Sequence, residues 1–404
     1  MIKKYIKRKI YLDKAKPFIN KDIIKVIVGQ RRVGKSFLLY QLMDAAMRLS
    51  GVKKENIVYI NKELHEFAEI KNDADLVKYV ENRHKGKKGK KYLFIDEIQD
   101  IKYFEKALRH WQAKGSYDIY VTGSNANLLS GELATLLSGR SVLIEVFSLS
   151  YQEFALFHNL KNNKESFLKY IKYGGLPYLK NLELNDDIVF DYLRNIYAAV
   201  LFRDVVARYG VRNINFLERL VEYLADNVGS PVSAKKISDF LKSQKINISA
   251  NVVLDYLSHL CSAYFIFPAK RAEVNGKKIF EINEKYYFED LGLRHAIVGY
   301  KQVDINKILE NIVYLHLKIQ GYKITVGRLG VKEIDFVAEK DNKRVYVQVA
   351  YLLPNKAVLE REFGNLLAIG DNYPKFVVSM DEGAGGQVKG VKHMHIIDFL
   401  NIWI

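Results

Sequence analysis

The stretch from Gly29 to Phe37 has the residue types and the G-x-x-x-x-G-K-S spacing that hold a phosphate group. It follows an apolar run, Lys25 to Val28, that predicts a buried strand, and it precedes an apolar pattern that predicts a helix. The glycines let the backbone wrap round an anion, Lys35 is spaced to reach the β- and γ-phosphates, and Ser36 offers a hydroxyl to Mg²⁺. The residues expected to bind a nucleotide, ATP with Mg²⁺, are Gly29, Gln30, Arg31, Arg32, Val33, Gly34, Lys35, Ser36 and Phe37. The alternative is a glycine-rich turn with a chance match to this spacing.

Two acidic residues at the end of another apolar run complement this stretch. Tyr92 to Ile95 predicts a strand, and Asp96 and Glu97 follow it directly. Asp96 is expected to hold Mg²⁺ through water, together with Ser36, and Glu97 to polarise the water that attacks the γ-phosphate. The alternative is an ordinary strand end with acidic residues. The pair predicts that the bound nucleotide is hydrolysed.

A polar turn ends a further apolar run. Asp118 to Val121 predicts a strand, and Thr122, Gly123, Ser124 and Asn125 follow it. Ser124 or Asn125 is expected to contact the γ-phosphate or the attacking water, with Thr122 behind them; a simple turn is the alternative. Because ligands bind at the carboxyl ends of parallel strands, we expect this turn to lie beside the acidic pair and the phosphate-binding stretch.

Composition limits the classes of protein to which the chain can belong. Its 404 residues suggest two to four domains, and its 49% hydrophobic content is enough for packed cores. A single cysteine, Cys261, excludes a disulfide within the chain. There is no signal-peptide pattern and no apolar run of the ~20 residues that span a membrane. We therefore expect a soluble, cytoplasmic protein.

Positive charge is the other strong feature of the composition. The net charge of +17 favours anionic partners, nucleic acid first, with lysine-rich solubility as an equal alternative. Residues 83–91, RHKGKKGKK, concentrate this charge in one lysine–glycine segment. We interpret that segment as a solvated loop, with contact to a phosphate backbone as the alternative.

The apolar runs alternate with helical patterns and predict an α/β fold, a parallel sheet with helices on both faces. Along the chain follow FIDEIQ (94–99), TGS (122–124), SGR (138–140), SLSYQEF (148–154) and GGLP (174–177). With the phosphate-binding stretch, this order resembles the prokaryotic AAA-type P-loop ATPases of the branch near the origin-recognition and signalling ATPases. The resemblance covers essentially the whole chain and implies an ATPase followed by a C-terminal domain of uncharacterised function.

The resemblance also singles out one arginine. In AAA proteins an arginine just before the fifth strand often reaches the γ-phosphate of a neighbouring subunit, and Arg140 matches that place. It implies a homo-oligomer in which Arg140 acts in trans; a local ion pair is the alternative. The residues expected to take part in catalysis are therefore Lys35, Glu97, Ser124, Asn125 and Arg140.

We predict four parts in the chain: the ATPase core at 1–147, a helical lid at 148–212, a winged helix at 213–290 and a restriction-endonuclease-like domain at 291–404. Three helical patterns followed by two strand patterns are typical of a winged helix. Its basic residues suit contact with the backbone of double-stranded DNA, with protein docking as the alternative. They are Lys235, Lys236, Lys242, Lys245, Lys270, Arg271, Lys277 and Lys278.

The last part carries Glu310 on a predicted helix, Asp335 on a strand, and Gln348 and Ala350 on the next strand. This spacing resembles a restriction-endonuclease core, with Gln348 in place of the second acid and Ala350 in place of the lysine. We expect the fold without the catalysis, because glutamine brings no charge to a metal ion and alanine has no polar group.

The function predicted from the sequence is Mg-dependent ATP binding and hydrolysis, coupled to conformational change and acting on DNA or a DNA-bound partner. Two alternatives stay open. One is an ATP-controlled nuclease that uses the C-terminal domain. The other is a switch or scaffold that binds ATP without hydrolysing it.

Overall fold

The computed structural model describes the chain in three ranges, 5–126, 139–274 and 279–402, with backbone alone at 279–282. The sequence pattern of residues 126–138 predicts a short helix, but all of that segment except residue 126 lies outside these ranges. The basic residues Lys277 and Lys278 lie outside them as well. None of the helices in the described ranges has both the length and the apolar character needed to cross a membrane. The chain divides into a first unit, Met1–Phe147 with Ser262–Tyr264, and a second unit, Ser148–Cys261 with Phe265–Ile404.

The first unit is built on a five-stranded parallel sheet. Its strands are β1 (Ile24–Val28), β2 (Ile57–Asn61), β3 (Lys91–Asp96), β4 (Tyr117–Gly123) and β5 (Ser141–Glu145). They lie in the order β2-β3-β4-β1-β5, and each pairing is parallel. Every residue of β1 and β4 is buried, as expected for central strands covered on both faces. The parallel sheet predicted from the sequence is thus confirmed.

Four described helices belong to the first unit: α1 (Lys9–Ala15), α2 (Lys35–Ser50), α3 (Asp73–His84) and α4 (Phe104–Lys114). Helix α2 begins after Gly34, whose φ is +96°, and ends at Gly51, whose φ is +62°. Both are left-handed conformations that glycine adopts without steric cost. The helix therefore starts within the phosphate-binding stretch and stops at a defined point.

A longer set of helices follows Phe147. They are α5 (Tyr151–Phe157), α6 (Lys164–Tyr173), α7 (Asp186–Ala199), α8 (Ile214–Asp226), α9 (Ala234–Ser243), α10 (Ala250–Ser262), α11 (Leu291–Val298), α12 (Ile305–Gln320), α13 (Lys356–Leu367) and α14 (Ile396–Asn401). Helix α7 continues as a π-helix over Val200–Ala207.

The second unit has one nine-stranded mixed sheet, ordered β13-β14-β12-β11-β10-β9-β7-β8-β6. Its strands are β6 (Pro231–Val232), β7 (Ile266–Glu273), β8 (Ile279–Phe288), β9 (Lys323–Leu329), β10 (Lys332–Lys340), β11 (Lys343–Val349), β12 (Lys375–Ser379), β13 (Gln387–Val388) and β14 (Val391–His395). Strand β7 pairs antiparallel with β8 and parallel with β9. The boundary predicted at residue 290 therefore falls between strands that belong to one continuous sheet.

The GGLP segment packs its two glycines against Asp290. A Cβ at Gly174, where φ is +77°, would lie 2.3 Å from Oδ1 of Asp290. The N–H of Gly175 donates to Oδ2 of the same carboxylate at 2.7 Å, and the N–H of Leu293 donates to Oδ1 at 3.1 Å, which caps α11. Burial raises the pKa of Asp290 to about 6, and these N–H donors oppose the shift.

Candidate functional site

The predicted site residues of the first unit, with the exception of Arg140, lie along one edge of its sheet. The last residue of β1, Val28, lies opposite Gly123 at the end of β4, and β3 stays in register with β4 up to Ile95. The phosphate-binding stretch, the acidic pair and the polar turn all follow these strand ends. They therefore share the carboxyl edge, where open parallel sheets bind ligands.

The phosphate-binding stretch is a tight loop in which glycine is required. At Gly29 φ is +151°, and a Cβ there would lie 2.1 Å from the carbonyl oxygen of Val146. The Nζ of Lys35 donates to the carbonyls of Gly29 and Gln30, at 3.0 Å each. Lys35 is buried within this loop, whereas Phe37 is 48% exposed on the outer face of α2. A glycine-rich loop followed directly by the first turn of a helix is an arrangement that commonly binds an anion through backbone N–H groups.

Asp96, Ser36 and Thr122 form the polar centre of this edge. The Asp96 carboxylate accepts hydrogen bonds from the Thr122 hydroxyl and from the Ser36 hydroxyl. Burial raises the pKa of Asp96, and the two hydroxyl donors oppose that shift. Mg²⁺ prefers hard oxygen ligands and is commonly held by one carboxylate plus the phosphates of a substrate. A hydroxyl beside a buried carboxylate is thus a donor set that fits Mg²⁺.

Glu97 is held in a specific orientation by three neighbours. Its φ of +56° is a left-handed conformation that costs a non-glycine residue about 1–3 kcal/mol. Its N–H donates to Oγ1 of Thr122 at 2.9 Å, and its carboxylate accepts a hydrogen bond from Nε2 of Gln99. The Nζ of Lys35 lies 3.9 Å from Oε1. Gln99 belongs to the FIDEIQ motif, but its type and spacing gave no indication of this contact.

Four further predicted residues differ in burial: Ser124, Asn125 and Arg31 are buried, whereas Arg140 is exposed. Ser124 and Asn125 are buried at the same edge, 1% and 7% exposed. Arg31 is also buried, with Nη1 3.5 Å from Oε1 of Glu63. Arg140 is exposed and precedes β5, and its carbonyl accepts a hydrogen bond of 2.9 Å from the N–H of Ile24. It therefore lies at the amino edge of the sheet, away from the other site residues of its own chain.

Arg8 supports the phosphate-binding loop from outside the motif. It is 3% exposed, and its Nη1 donates to the carbonyls of Val33 and Phe147, at 3.0 and 2.8 Å. Its backbone N–H donates to Oε1 of Gln41 on α2. Sequence reasoning missed Arg8, because one arginine in a lysine-rich lead-in carries no local signal for a contact with residues so far along the chain.

A second polar cluster lies in the second unit and contains Glu310 and Asp335. The Nζ of Lys285 lies 3.1 Å from Oε1 of Glu310 and 2.9 Å from Oε1 of Glu333. The hydroxyl of Tyr287 donates to the same Glu310 oxygen at 2.5 Å. Burial lowers the pKa of Lys285, but the neighbouring acids raise it more, so its pKa lies above the ordinary value.

Asp335 connects this cluster to the next strand. Its N–H donates to Oε1 of Gln348 at 3.4 Å, and its Oδ2 accepts the N–H of Val349 at 2.8 Å. Burial raises the pKa of Asp335 well above its ordinary value, Glu310 adds to the shift and Lys285 opposes it. In residues 5–126, 139–274 and 279–402, no group of three or more His, Cys, Asp or Glu side chains is arranged to hold a metal ion. The acids of this cluster are paired with the ammonium of Lys285, a residue that the sequence did not single out, and with Arg271, whose Nη2 lies 3.0 Å from Oε2 of Glu333.

Comparison with known protein families gives two matches along the chain. Residues 21–155 match the family described as an AAA domain. Residues 164–304 match a domain of unknown function, DUF8612. The first match contains the whole carboxyl-edge site, from Gly29 to Asn125.

Two full-length relatives extend the comparison. An uncharacterised protein of Haemophilus influenzae is 36% identical over 99% of this chain and 100% of its own length. The uncharacterised protein MJ1544 of Methanocaldococcus jannaschii is 32% identical over 89% of this chain and 84% of its own length. Among solved structures, a Walker-type ATPase of Pyrococcus abyssi aligns at 14% identity and a TM-score of 0.49, over 73% of this chain and 96% of that one. The chain belongs to the same family as the two uncharacterised relatives, and its residues 21–155 match the AAA-domain family and contain the P-loop.

Proposed function

We propose that the protein binds ATP with Mg²⁺, hydrolyses it, and couples hydrolysis to a conformational change that acts on DNA or a DNA-bound partner. One observation carries the proposal. Lys35 and Glu97, a phosphate-binding cation and a water-activating carboxylate, lie 3.9 Å apart beside the Ser36 and Asp96 oxygens. A site that only bound nucleotide would not need a buried carboxylate in that position.

Binding rests on the loop and its helix. The triphosphate replaces the loop carbonyls as the hydrogen-bond partner of Lys35. The backbone N–H groups from Gly29 to Phe37 surround the phosphate oxygens. Mg²⁺ neutralises charge that develops on the phosphates. Ser36 offers its hydroxyl to the ion and Asp96 its carboxylate, through water.

Hydrolysis rests on Glu97. Its carboxylate accepts the proton of a water whose oxygen attacks the γ-phosphorus, and the bond to the β-phosphate bridging oxygen breaks, giving ADP and phosphate. Gln99 holds the carboxylate in place through its amide. Ser124 and Asn125 contact the γ-phosphate or the attacking water.

Arg140 completes the site only if a second copy of the chain supplies it, because its own sheet puts it at the opposite edge. We therefore propose a homo-oligomer with Arg140 in trans. An arginine supplied in this way raises phosphoryl-transfer rates by about 10³–10⁵. We expect the turnover per chain to rise with protein concentration in the wild type. In Arg140→Ala this dependence on concentration should be lost.

The parts after Phe147 are proposed as a lid (148–212), a winged helix (213–290) and a restriction-endonuclease-like domain without catalysis (291–404). The short strand β6, between α8 and α9, pairs with β8, which is the strand order of a winged helix. The exposed face of α10 has Asn251, Leu254 and Asp255 but no basic residue, which supports backbone contact or docking over base reading. The cluster around Lys285 supports an ionic network in place of a metal site.

Phosphate release from the purified chain, with Mg-ATP and with or without duplex DNA, tests the function. We expect turnover that DNA stimulates, and Glu97→Gln should retain ATP binding but lose about 10²–10⁴-fold in rate. Lys35→Ala should lose ATP binding itself. If the wild-type protein hydrolysed ATP no faster than the Glu97→Gln variant, the result would contradict the proposal and favour the non-hydrolysing switch.

A further inference from the structure

The lysine–glycine segment is folded into the wall of a cavity. The cavity has a volume of about 540 Å³ and lies between residues 50–56, which follow α2, and residues 86–90, which precede β3. Four lysines line it, Lys53, Lys87, Lys88 and Lys90, together with one acid, Glu55. We call this the lysine pocket. Because it borders the segments that lead into β2 and β3, it lies at the amino edge of the sheet, opposite the ATP site.

A buried asparagine fixes the shape of this pocket. Asn56 is 7% exposed, and its Nδ2 donates to the carbonyls of Lys88 and Lys90, at 2.8 and 3.2 Å. Gly86 and Gly89 take φ values of +76° and +86°, which turn the segment back on itself. Most of residues 83–91 are exposed, as expected for a solvated loop, but the backbone of the loop is held by a buried side chain. The lysines are presented from a defined surface.

The lysine pocket contains more positive charges than are paired with other groups of the protein. The C-terminal ends of α2 and α3 reach this edge, and each carries about half a negative charge. Lys87 already donates to the Glu55 carbonyl at 2.5 Å, and Lys90 to the Asn20 carbonyl at 3.0 Å and to Asp22 at 2.8 Å. Lys87 and Lys90 therefore already have partners within the fold.

Lys53 and Lys88 remain as surplus cations. Both are exposed, and in the described part of the chain neither has an acidic partner within ion-pair distance. Lys54 and Lys85 flank them and are exposed as well. The pocket thus presents several cations within one concave surface of fixed backbone, with Glu55 as the single lining acid.

We propose that the lysine pocket binds the phosphodiester backbone of nucleic acid. Lysine ammonium groups bind phosphate as point charges, without the bidentate geometry by which arginine reads bases. The aromatic lining residue, Tyr92, is 2% exposed and its hydroxyl donates to Asn20, so no ring is available for base stacking. Binding is therefore independent of base sequence. The inference concerns binding alone and does not require ATP hydrolysis.

The test measures the anisotropy of a fluorescent 20-base-pair duplex with the full chain, without nucleotide, at several salt concentrations. In Lys53→Gln/Lys88→Gln we expect the Kd to rise about tenfold or more, and the slope of log K against log salt to fall by roughly 1.8, about 0.9 for each phosphate that the variant no longer neutralises. The matched control is Lys71→Gln/Lys102→Gln, which removes two exposed lysines of the same unit outside the pocket. It should change the slope by much less.

Two outcomes would overturn the inference. In the first, the pocket variant binds duplex no more weakly than the control variant. In the second, inorganic phosphate displaces the duplex at concentrations too low to act as salt, which would assign the pocket to free phosphate. Basal ATP turnover should be equal in both variants and the wild type, so a failed binding prediction stays distinct from a failed ATPase prediction.

Discussion

The ammonium of Lys35 and the carboxylate of Glu97 lie 3.9 Å apart, and both side chains are less than a tenth exposed. In the same loop Lys35 also donates to two carbonyls. The γ-phosphate of a bound ATP would compete with these partners for Lys35, and it carries more negative charge than a carbonyl or a single carboxylate oxygen. In the proposed mechanism, we expect ATP to draw Lys35 away from Glu97 and so to leave the carboxylate able to accept a proton from water. Lys35 would then link ATP binding to hydrolysis.

Gln99 should matter for turnover and not for ATP binding. Gln99→Ala removes the amide that orients Glu97, and misplacing a catalytic group by about 1 Å costs on the order of 10²-fold in rate. We expect kcat to fall about ten- to hundredfold with KM for ATP unchanged. Asn82→Ala, an exposed change on α3, is the control. A rise in KM with kcat preserved would show that Gln99 acts on binding instead.

Gly29→Ala should destabilise the first unit and abolish ATP binding, because the new Cβ would meet the Val146 carbonyl at 2.1 Å. The matched control is Gly115→Ala, also at positive φ but with nothing within 4 Å of the added atom. The control should cost only about 1 kcal/mol of unfolding free energy. Urea unfolding and nucleotide titration measure both quantities. Equal costs in the two variants would mean that the close approach to Val146 relaxes freely.

Asp290 predicts a pH dependence of stability with a definite sign. Its pKa is about 6 in the folded chain, against an ordinary value of 3.8, so between these pH values the folded state binds more protons than the unfolded state. The contribution of Asp290 to stability is therefore greatest below about pH 4 and declines as pH rises to 6, by roughly 3 kcal/mol in total.

Asp290→Asn cannot titrate, so it isolates this effect. We expect the unfolding free energy of the wild type minus that of the variant to fall between pH 4 and 6 and to level off above pH 6. A difference that stays constant across this range, or that grows with pH, would contradict the assignment.

Lys285→Met should destabilise the second unit by about 3–5 kcal/mol, because it removes the buried cation of Glu310 and leaves Glu333 with Arg271 alone. Adding Glu310→Gln should restore part of the stability. Chemical unfolding measures each effect. Plasmid cleavage by the wild-type chain that disappears in Asp335→Ala would instead identify the cluster as a nuclease site.

The strands and the edge residues of the first unit were predictable because their signals are local. A β-branched run before Gly29 and an apolar run before Asp96 each determine a strand and the polar segment at its end. The contacts that hold those residues were not predictable. Arg8 and Lys285 contact residues far along the chain, and Gln99 contacts Glu97 only two residues away, but nothing in the local sequence of the three distinguishes them from ordinary surface residues. Likewise, no pattern in β7 or β9 indicates that the two strands pair across about fifty residues of chain.

The pairing of β7 with β9 has a consequence for any shortened form of the protein. A chain that ended at residue 290 would lose β9 and uncover the hydrogen-bonding groups of β7 from Lys270 to Glu273. The remaining chain, from 291 onward, would uncover β9 in the same way. Exposed strand edges of this kind recruit other chains and aggregate. The two predicted parts on either side of residue 290 should therefore be produced and degraded together, as a single folded unit.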